Sequence, residues 1–220
     1  MTLKAVFFDL DGTLLDTSLD LGGALNALRA EENLPHIQMK IIRRHVSNGA
    51  TALLKLGFDL DPKDQAFSAF RTRLLDHYLD HVAEHTLPFD GICDLIGTMH
   101  QHKLSWGVVT NKPALYTQAL MKHMHFESSP AAVVSPDDVG VSKPDAEPLL
   151  HACHLARCPP SEAIYVGDHQ RDIDCGHNAG MPTIAVGYGF TAHPDDYLSW
   201  QATHTAKTAH DIWPIVQSYL

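Results

Sequence analysis

Apolar residues along this chain follow two patterns, short unbroken runs and longer stretches at helical spacing. The run Leu3-Lys4-Ala5-Val6-Phe7-Phe8 ends in Asp9 and a glycine turn, and Trp106-Gly107-Val108-Val109 ends in Thr110-Asn111. Ala131–Val134 ends in Ser135-Pro136-Asp137, Ala163–Val166 in Gly167-Asp168, and Thr183–Val186 in Gly187. Short runs of this kind, without polar alternation, predict strands buried on both faces of a parallel sheet. Between them, Ala114–Met124, Ala146–Leu155 and Arg171–Ala179 carry apolar residues at helical spacing. Strands alternating with helices predict an α/β fold with a doubly wound parallel sheet. Ligands bind such sheets beyond the carboxyl ends of the strands, so the chemistry is expected where these runs stop.

From Ser18 to His85 the pattern changes. Leu21, Ala24, Leu25 and Leu28, then Ile41, Ile42 and Val46, then Leu53 and Leu56, then Phe67, Phe70, Leu74, Leu75 and Tyr78 keep helical periodicity with no strand-like run. This predicts an all-helical insert at 17–87, splitting a core made of 1–16 and 88–220. Connectors near Asp16–Ser18 and Leu87–Gly91 are the expected hinges.

Composition narrows the function. The 220 residues are 45% hydrophobic and 19% charged, ordinary for a folded globular chain. The formal net charge of −10 suits neither nucleic acid nor an anionic membrane. An anion site must therefore be built locally, from a cation, a lysine and backbone N–H groups. The four cysteines lack metal-site spacing and read as reduced thiols. Without a bilayer-length apolar stretch or a secretory-type leader, the chain is expected to be cytoplasmic.

Four clusters carry candidate chemistry. Asp9 and Asp11 stand two apart at a strand end, where Gly12 lets the backbone turn close to a ligand. Carboxylates so placed repel unless a cation relieves them, and Mg²⁺ favours hard oxygen ligands. The remaining ligands of a calcium loop do not follow. Thr110 and Asn111 end the second strand, offering a hydroxyl and N–H groups to an anion. Lys143 precedes Pro144, which places it at an expected helix start, where a lysine is unfavourable unless an anion lies nearby. Asp168 and Asp172 end the fourth strand and begin the next helix, as a metal ligand and as a ligand or its orienter. His77, His81 and His85, four apart, read as an exposed polar face.

Asp9-Leu10-Asp11-Gly12-Thr13, Thr110-Asn111, Lys143-Pro144 and Gly167-Asp168-x-x-x-Asp172 resemble, in order, the four motifs of the haloacid dehalogenase-like hydrolases. The helical insert resembles that superfamily's first-type cap. Leu14-Leu15-Asp16-Thr17 and Val46-Ser47-Asn48-Gly49-Ala50 are similar to the phosphoglycolate phosphatase group, and Ser142–Leu149 to N-acetylmuramate 6-phosphate phosphatases. Ala146 stands where relatives commonly carry proline.

The resemblance implies a Mg²⁺-dependent phosphomonoesterase acting on a small phosphorylated metabolite. Phosphoglycolate comes first and N-acetylmuramic acid 6-phosphate second; a phosphomutase, or a phosphate-sensing module without activity, are the rivals. Asp9 is implied as nucleophile and Asp11 as acid and base. Thr110, Asn111 and Lys143 are implied to stabilise the transferring phosphoryl group, and Asp9, Asp168 and the Asp11 carbonyl to hold the metal. Arg43, Arg44, Ser47 and Asn48 are expected to read the leaving group from the cap, near a glycine that lets the insert bend.

Overall fold

The computed structural model describes residues 2–220. Six strands form one parallel sheet: β1 (Ala5–Phe8), β4 (Ser105–Val109), β5 (Ala132–Val134), β6 (Ala163–Gly167), β7 (Thr183–Val186) and β8 (His204–Ala206). The remaining two, β2 (Leu15–Asp16) and β3 (Leu87–Pro88), pair antiparallel as a two-residue ribbon. The order β5-β4-β1-β6-β7-β8 puts β1 at the centre, with the chain filling one side of it before crossing to the other. The crevice where a doubly wound sheet binds ligands therefore opens at the ends of β1, β4 and β6.

Alternation along each strand divides the core. Val6 and Phe8 face one side and pack with Trp106, Val108, Ile164 and Val166 under helices α5 (Ile92–Gln101) and α10 (Ile212–Gln217). Ala5 and Phe7 face the other and pack with Val109, Tyr165, Leu149 and Cys175 under α8 (Glu147–Ala156) and α9 (Gln170–Asn178). Phe7 and Phe8 are completely buried, each contributing about 1.5–3 kcal/mol of burial energy. Helices α6 (Ala114–Met121) and α7 (Pro136–Val139) flank β5.

All five sequence-predicted strands are present, with ends within two residues of those expected: β1 and β5 are shorter, β4 and β6 one residue longer, and β7 as expected. The sixth, β8, and the β2–β3 ribbon were not expected. His204-Thr205-Ala206 is too short and polar to signal a strand, and it forms by pairing with β7. Lys143 departs from expectation: it lies in a turn four residues ahead of α8, which starts at Glu147, and not at a helix N-terminus.

The insert is helical throughout: α1 (Ser18–Glu31), α2 (Met39–Arg43), α3 (Gly49–Phe58) and α4 (Phe67–Asp80). Leu25, Leu28, Ile42, Leu53, Leu54, Leu74 and Tyr78 make its own core, into which Phe190 of the sheet domain also inserts. The β2–β3 ribbon joins its two ends by pairing Leu15 with Pro88 and Asp16 with Leu87. Asp20 reinforces the closure: its buried carboxylate accepts from the His85 and Thr86 N–H groups at 2.9 and 3.1 Å and from the Thr86 hydroxyl at 2.6 Å. His77 pairs with Glu31 and His81 with Glu84, as an exposed polar face does. No helix among the described residues is long and apolar enough to cross a membrane.

Asp20→Ala strands three buried donors, so it is expected to cost about 3 kcal/mol of unfolding free energy. Urea titration of the variant checks this, and a midpoint equal to wild type would remove Asp20 as the clamp.

Candidate active site

Asp9, Thr110 and Asp168 each follow directly on a strand, β1, β4 and β6 respectively, so neighbouring strand ends bring them together. Lys143 arrives from the turn before α8 with its ammonium almost fully buried. That ammonium donates to Asp9 Oδ1 at 2.7 Å, Tyr165 Oη at 2.8 Å and the Val109 carbonyl at 3.1 Å, and it pairs with Asp172 Oδ1 at 2.8 Å. Burial works against its charge, but Asp172 and Asp9 outweigh burial and hold its pKa above the ordinary lysine value. The result fixes one Asp9 oxygen and leaves Asp9 Oδ2 without a protein partner.

Asp168 is held from three directions. Its Oδ2 accepts from the Phe190 N–H at 2.8 Å and the Ser47 hydroxyl at 2.9 Å, while Oδ1 meets only the Thr13 hydroxyl, at 3.4 Å. Asp9, Asp168 and Asp172 have carboxylate oxygens within 4.8 Å of one another, all buried, with one lysine among them. Burial, opposed by Lys143, pushes the Asp9 carboxyl up to about 6. Burial and then the Asp9 and Asp172 charges push Asp168 up to about 7. Such an excess of negative charge suits a divalent cation with oxygen ligands. The open positions are Asp9 Oδ2 and Asp168 Oδ1. Asp172 has both oxygens engaged, with Lys143 and with the His169 N–H at 3.0 Å, so it anchors Lys143.

Asp11 goes elsewhere. Although it lines the same cavity as Asp9, its carboxylate accepts from Lys112 Nζ at 2.9 and 3.2 Å and from the Thr17 hydroxyl at 2.6 Å. The chain has already left β1, so the shared orientation expected of residues two apart does not persist. Burial disfavours the Lys112 charge, and the Asp11 carboxylate more than compensates. The Lys112 ammonium also sits 4.5 Å above the Tyr78 ring. Lys112 was missed from sequence. Its signal was adjacency to Thr110-Asn111, but the Asp11 partner lies 101 residues away.

Expectations for four further residues need correction. The Gly12 N–H is spent on the Leu15 carbonyl, at 2.9 Å, so it does not reach a ligand. What Gly12 supplies is room: at φ +95° a Cβ there would fall 2.2 Å from Asp168 Oδ2. Gly189 does the same from the other side, a Cβ there falling 2.3 Å from the Asp168 Cβ. Asn111, expected to contact phosphate, uses its amide on both main-chain groups of Lys143, at 2.8 and 3.0 Å. Arg43 is turned from the cavity, towards Asp16 at 3.3 Å and the Tyr188 and Gly189 carbonyls. Arg44 is exposed, and no contact ties it to the site.

A cavity of about 230 Å³ lies between sheet and insert. Asp9, Asp11, Thr110 and Lys143 form its floor, and Ser47, Asn48, Arg71 and Tyr78 line it from the insert. The Thr110 hydroxyl accepts from the Lys112 N–H at 3.1 Å and keeps its own proton free. Among the described residues, the main-chain N–H groups of Leu10, Asp11 and Asn111 meet no protein acceptor. Unpaired donors at a buried strand end are rare in folded proteins and suit an anion. Arg171, also missed from sequence, ties the core to the insert through the Ser47 carbonyl at 2.5 Å.

The model of haloacid dehalogenase-like hydrolases matches residues 6–186. The chain belongs to the haloacid dehalogenase-like hydrolase family. Among curated relatives of this hydrolase, the N-acetylmuramic acid 6-phosphate phosphatase of Pseudomonas putida is 40% identical, covering 100% of this chain and 99% of that protein. The phosphoglycolate phosphatase of Xanthomonas campestris pv. campestris is 34% identical over 96% of this chain and 95% of its own. In fold, the hydrolase superposes on a predicted phosphoglycolate phosphatase from Haemophilus somnus with a TM-score of 0.86, at 21% identity and 99% coverage of both chains.

Gly189→Ala is expected to displace Asp168 and lower activity at least about tenfold, because the methyl meets the Asp168 side chain and the Gly12 backbone with no space to yield. Steady-state hydrolysis measures this, and wild-type rates would show that Asp168 tolerates displacement.

Proposed function

We propose that this hydrolase is a Mg²⁺-dependent phosphatase of a small phosphomonoester, working through phosphorylation of Asp9. The observation that carries the reading is the state of the Asp9 carboxylate: one oxygen is pinned by Lys143, while the other is free at the floor of the cavity. A nucleophile held in one orientation loses little entropy on reaching the transition state. The N–H groups of Leu10, Asp11 and Asn111 and the Thr110 hydroxyl receive the phosphoryl oxygens. They are pointed donors that need no reorganisation as charge redistributes.

Asp9 Oδ2 attacks phosphorus; the bond to the leaving oxygen breaks as the bond to Asp9 forms. Asp11, which takes up a proton when substrate binding frees it from Lys112 and Thr17, gives that proton to the leaving alkoxide, then takes one from the water that cleaves the aspartyl-phosphate. Lys112 and Thr17 hold Asp11 ready beside the floor and release it as the substrate enters. Lys143 keeps Asp9 in register through both steps, with Asp172, Tyr165 and Asn111 fixing the lysine in turn. A cation there would be held by Asp9 and Asp168, with the Asp11 carbonyl implied by the family, and would offset repulsion between the anionic nucleophile and the anionic phosphate.

The insert is read as a cap. Its Ser47 hydroxyl reaches Asp168, so closure of the insert and completion of the cation site are coupled. Between the two substrates of the curated relatives, N-acetylmuramic acid 6-phosphate is favoured, because that relative is the more similar and matches end to end. This reverses the order expected from sequence motifs.

Asp9→Asn is expected to abolish turnover of every phosphomonoester; activity near wild type would sink the assignment. A second outcome concerns pH. Asp9 and Asp168 titrate above the unfolded value of about 4, so between roughly pH 4 and pH 7 the metal-free fold binds more protons than the unfolded chain. Their contribution to stability is lost as pH rises through that window, whereas Mg²⁺ needs them ionised. The rise in Tm on adding Mg²⁺ should therefore grow from about pH 5 to about pH 8 and disappear in Asp168→Asn. A shift independent of pH would contradict the assigned ligands.

A further inference from the structure

The cavity wall carries a cation that nothing in the fold neutralises. Arg71, Leu75 and Tyr78 are spaced i, i+4 and i+7 along α4, so one face of that helix lines the cavity opposite Asp9. Two other arginines of the insert are committed, Arg73 to Glu31 and Glu32 and Arg43 to Asp16, while Arg44 is exposed and outside the cavity lining. On the floor, Lys143 is matched by Asp9 and Asp172, and Lys112 by Asp11. Arg71 is exposed at the cavity's solvent side and has no ion pair or hydrogen bond among the described residues, in a chain whose net charge of −10 offers many partners. Beside it Tyr78 is only 1% exposed; its hydroxyl makes no hydrogen bond among the described residues, and the Lys112 ammonium stands 4.5 Å from its ring. An unsatisfied buried hydroxyl in a native fold calls for a partner the protein does not supply.

We propose that Arg71 determines specificity by binding a carboxylate on the leaving group, with Tyr78 alongside it. This rests on the phosphatase reading, which fixes the phosphoryl group at Asp9 and makes the leaving alcohol extend towards α4. A guanidinium matches a carboxylate in a planar, two-bonded geometry that an ammonium does not reproduce. Glycolate and N-acetylmuramic acid, the alcohols released by the named enzymes, both carry such a group. N-acetylglucosamine 6-phosphate lacks it and otherwise matches N-acetylmuramic acid 6-phosphate, so this pair isolates the carboxylate.

The test is the ratio of kcat/KM for N-acetylmuramic acid 6-phosphate to that for N-acetylglucosamine 6-phosphate, with phosphoglycolate and p-nitrophenyl phosphate alongside. In Arg71→Ala the ratio should fall about 10- to 100-fold, the cost of one charge-assisted pair. Arg71→Lys should restore part of it. A merely structural Arg71 would lower both terms alike. An unchanged ratio in Arg71→Ala, or a wild-type enzyme indifferent to the lactyl carboxylate, overturns the assignment of Arg71 while leaving the phosphatase reading intact. A wild-type enzyme that releases phosphate from none of the four overturns both.

Discussion

The ammonium of Lys143, buried among carboxylates, is the interaction on which the site depends. Burying such a charge alone would cost several kcal/mol, and burying three carboxylates without it would cost more. Together they are tolerable, because each lysine proton finds an oxygen and each carboxylate a donor. The sheet supplies the geometry: Asp9, Val109 and Tyr165 lie on or directly after the adjacent strands β1, β4 and β6. One positive charge still leaves the cluster short of neutrality. Burial first, and that deficit after it, raise the Asp9 and Asp168 pKa values, and the excess negative charge makes the place attractive to a divalent cation.

The same logic extends across the cavity. Ser47 from the insert donates to Asp168, Arg171 from the core donates back to the Ser47 carbonyl, and Arg43 spans from α2 to the loop at Tyr188–Gly189. These polar contacts are few beside the apolar cores on either side, but Phe190 of the sheet domain is also packed into the insert's core, so opening must withdraw it as well. The β2–β3 ribbon and Asp20 keep the two crossings together and limit where the insert can go.

Much of this was legible in the sequence because it is local. Strand ends announced themselves by an apolar run stopping at Asp9, Thr110 or Asp168, and helical spacing marked the insert. Most of the errors share a cause, what a side chain meets far away in the sequence; Lys143 was misplaced locally, by a helix that starts four residues beyond it. Gly12 was expected to face a ligand because glycine often does, but it makes room for Asp168, 156 positions on. Asn111 was placed near the right atoms with the wrong partner, since its amide holds Lys143; Asp172, left open as ligand or orienter, lies in the buried carboxylate cluster and pairs with Lys143. Lys112 and Tyr165 gave little signal: Lys112 had only its adjacency to Thr110-Asn111 in an expected turn, Tyr165 only a place in an expected strand, and tertiary pairing alone reveals their partners.

The central claim is that Asp9 carries the phosphoryl group. Asp11→Asn should retain attack on p-nitrophenyl phosphate, whose leaving group needs no proton, yet slow hydrolysis of the intermediate. Mixing that variant with p-nitrophenyl phosphate and Mg²⁺, quenching in acid and sequencing the peptides by mass spectrometry reads the claim directly. One phosphoryl group on the peptide spanning β1, localised to Asp9, is the predicted result. A burst of p-nitrophenolate with the phosphoryl group on another residue, or with no adduct at all, would contradict it.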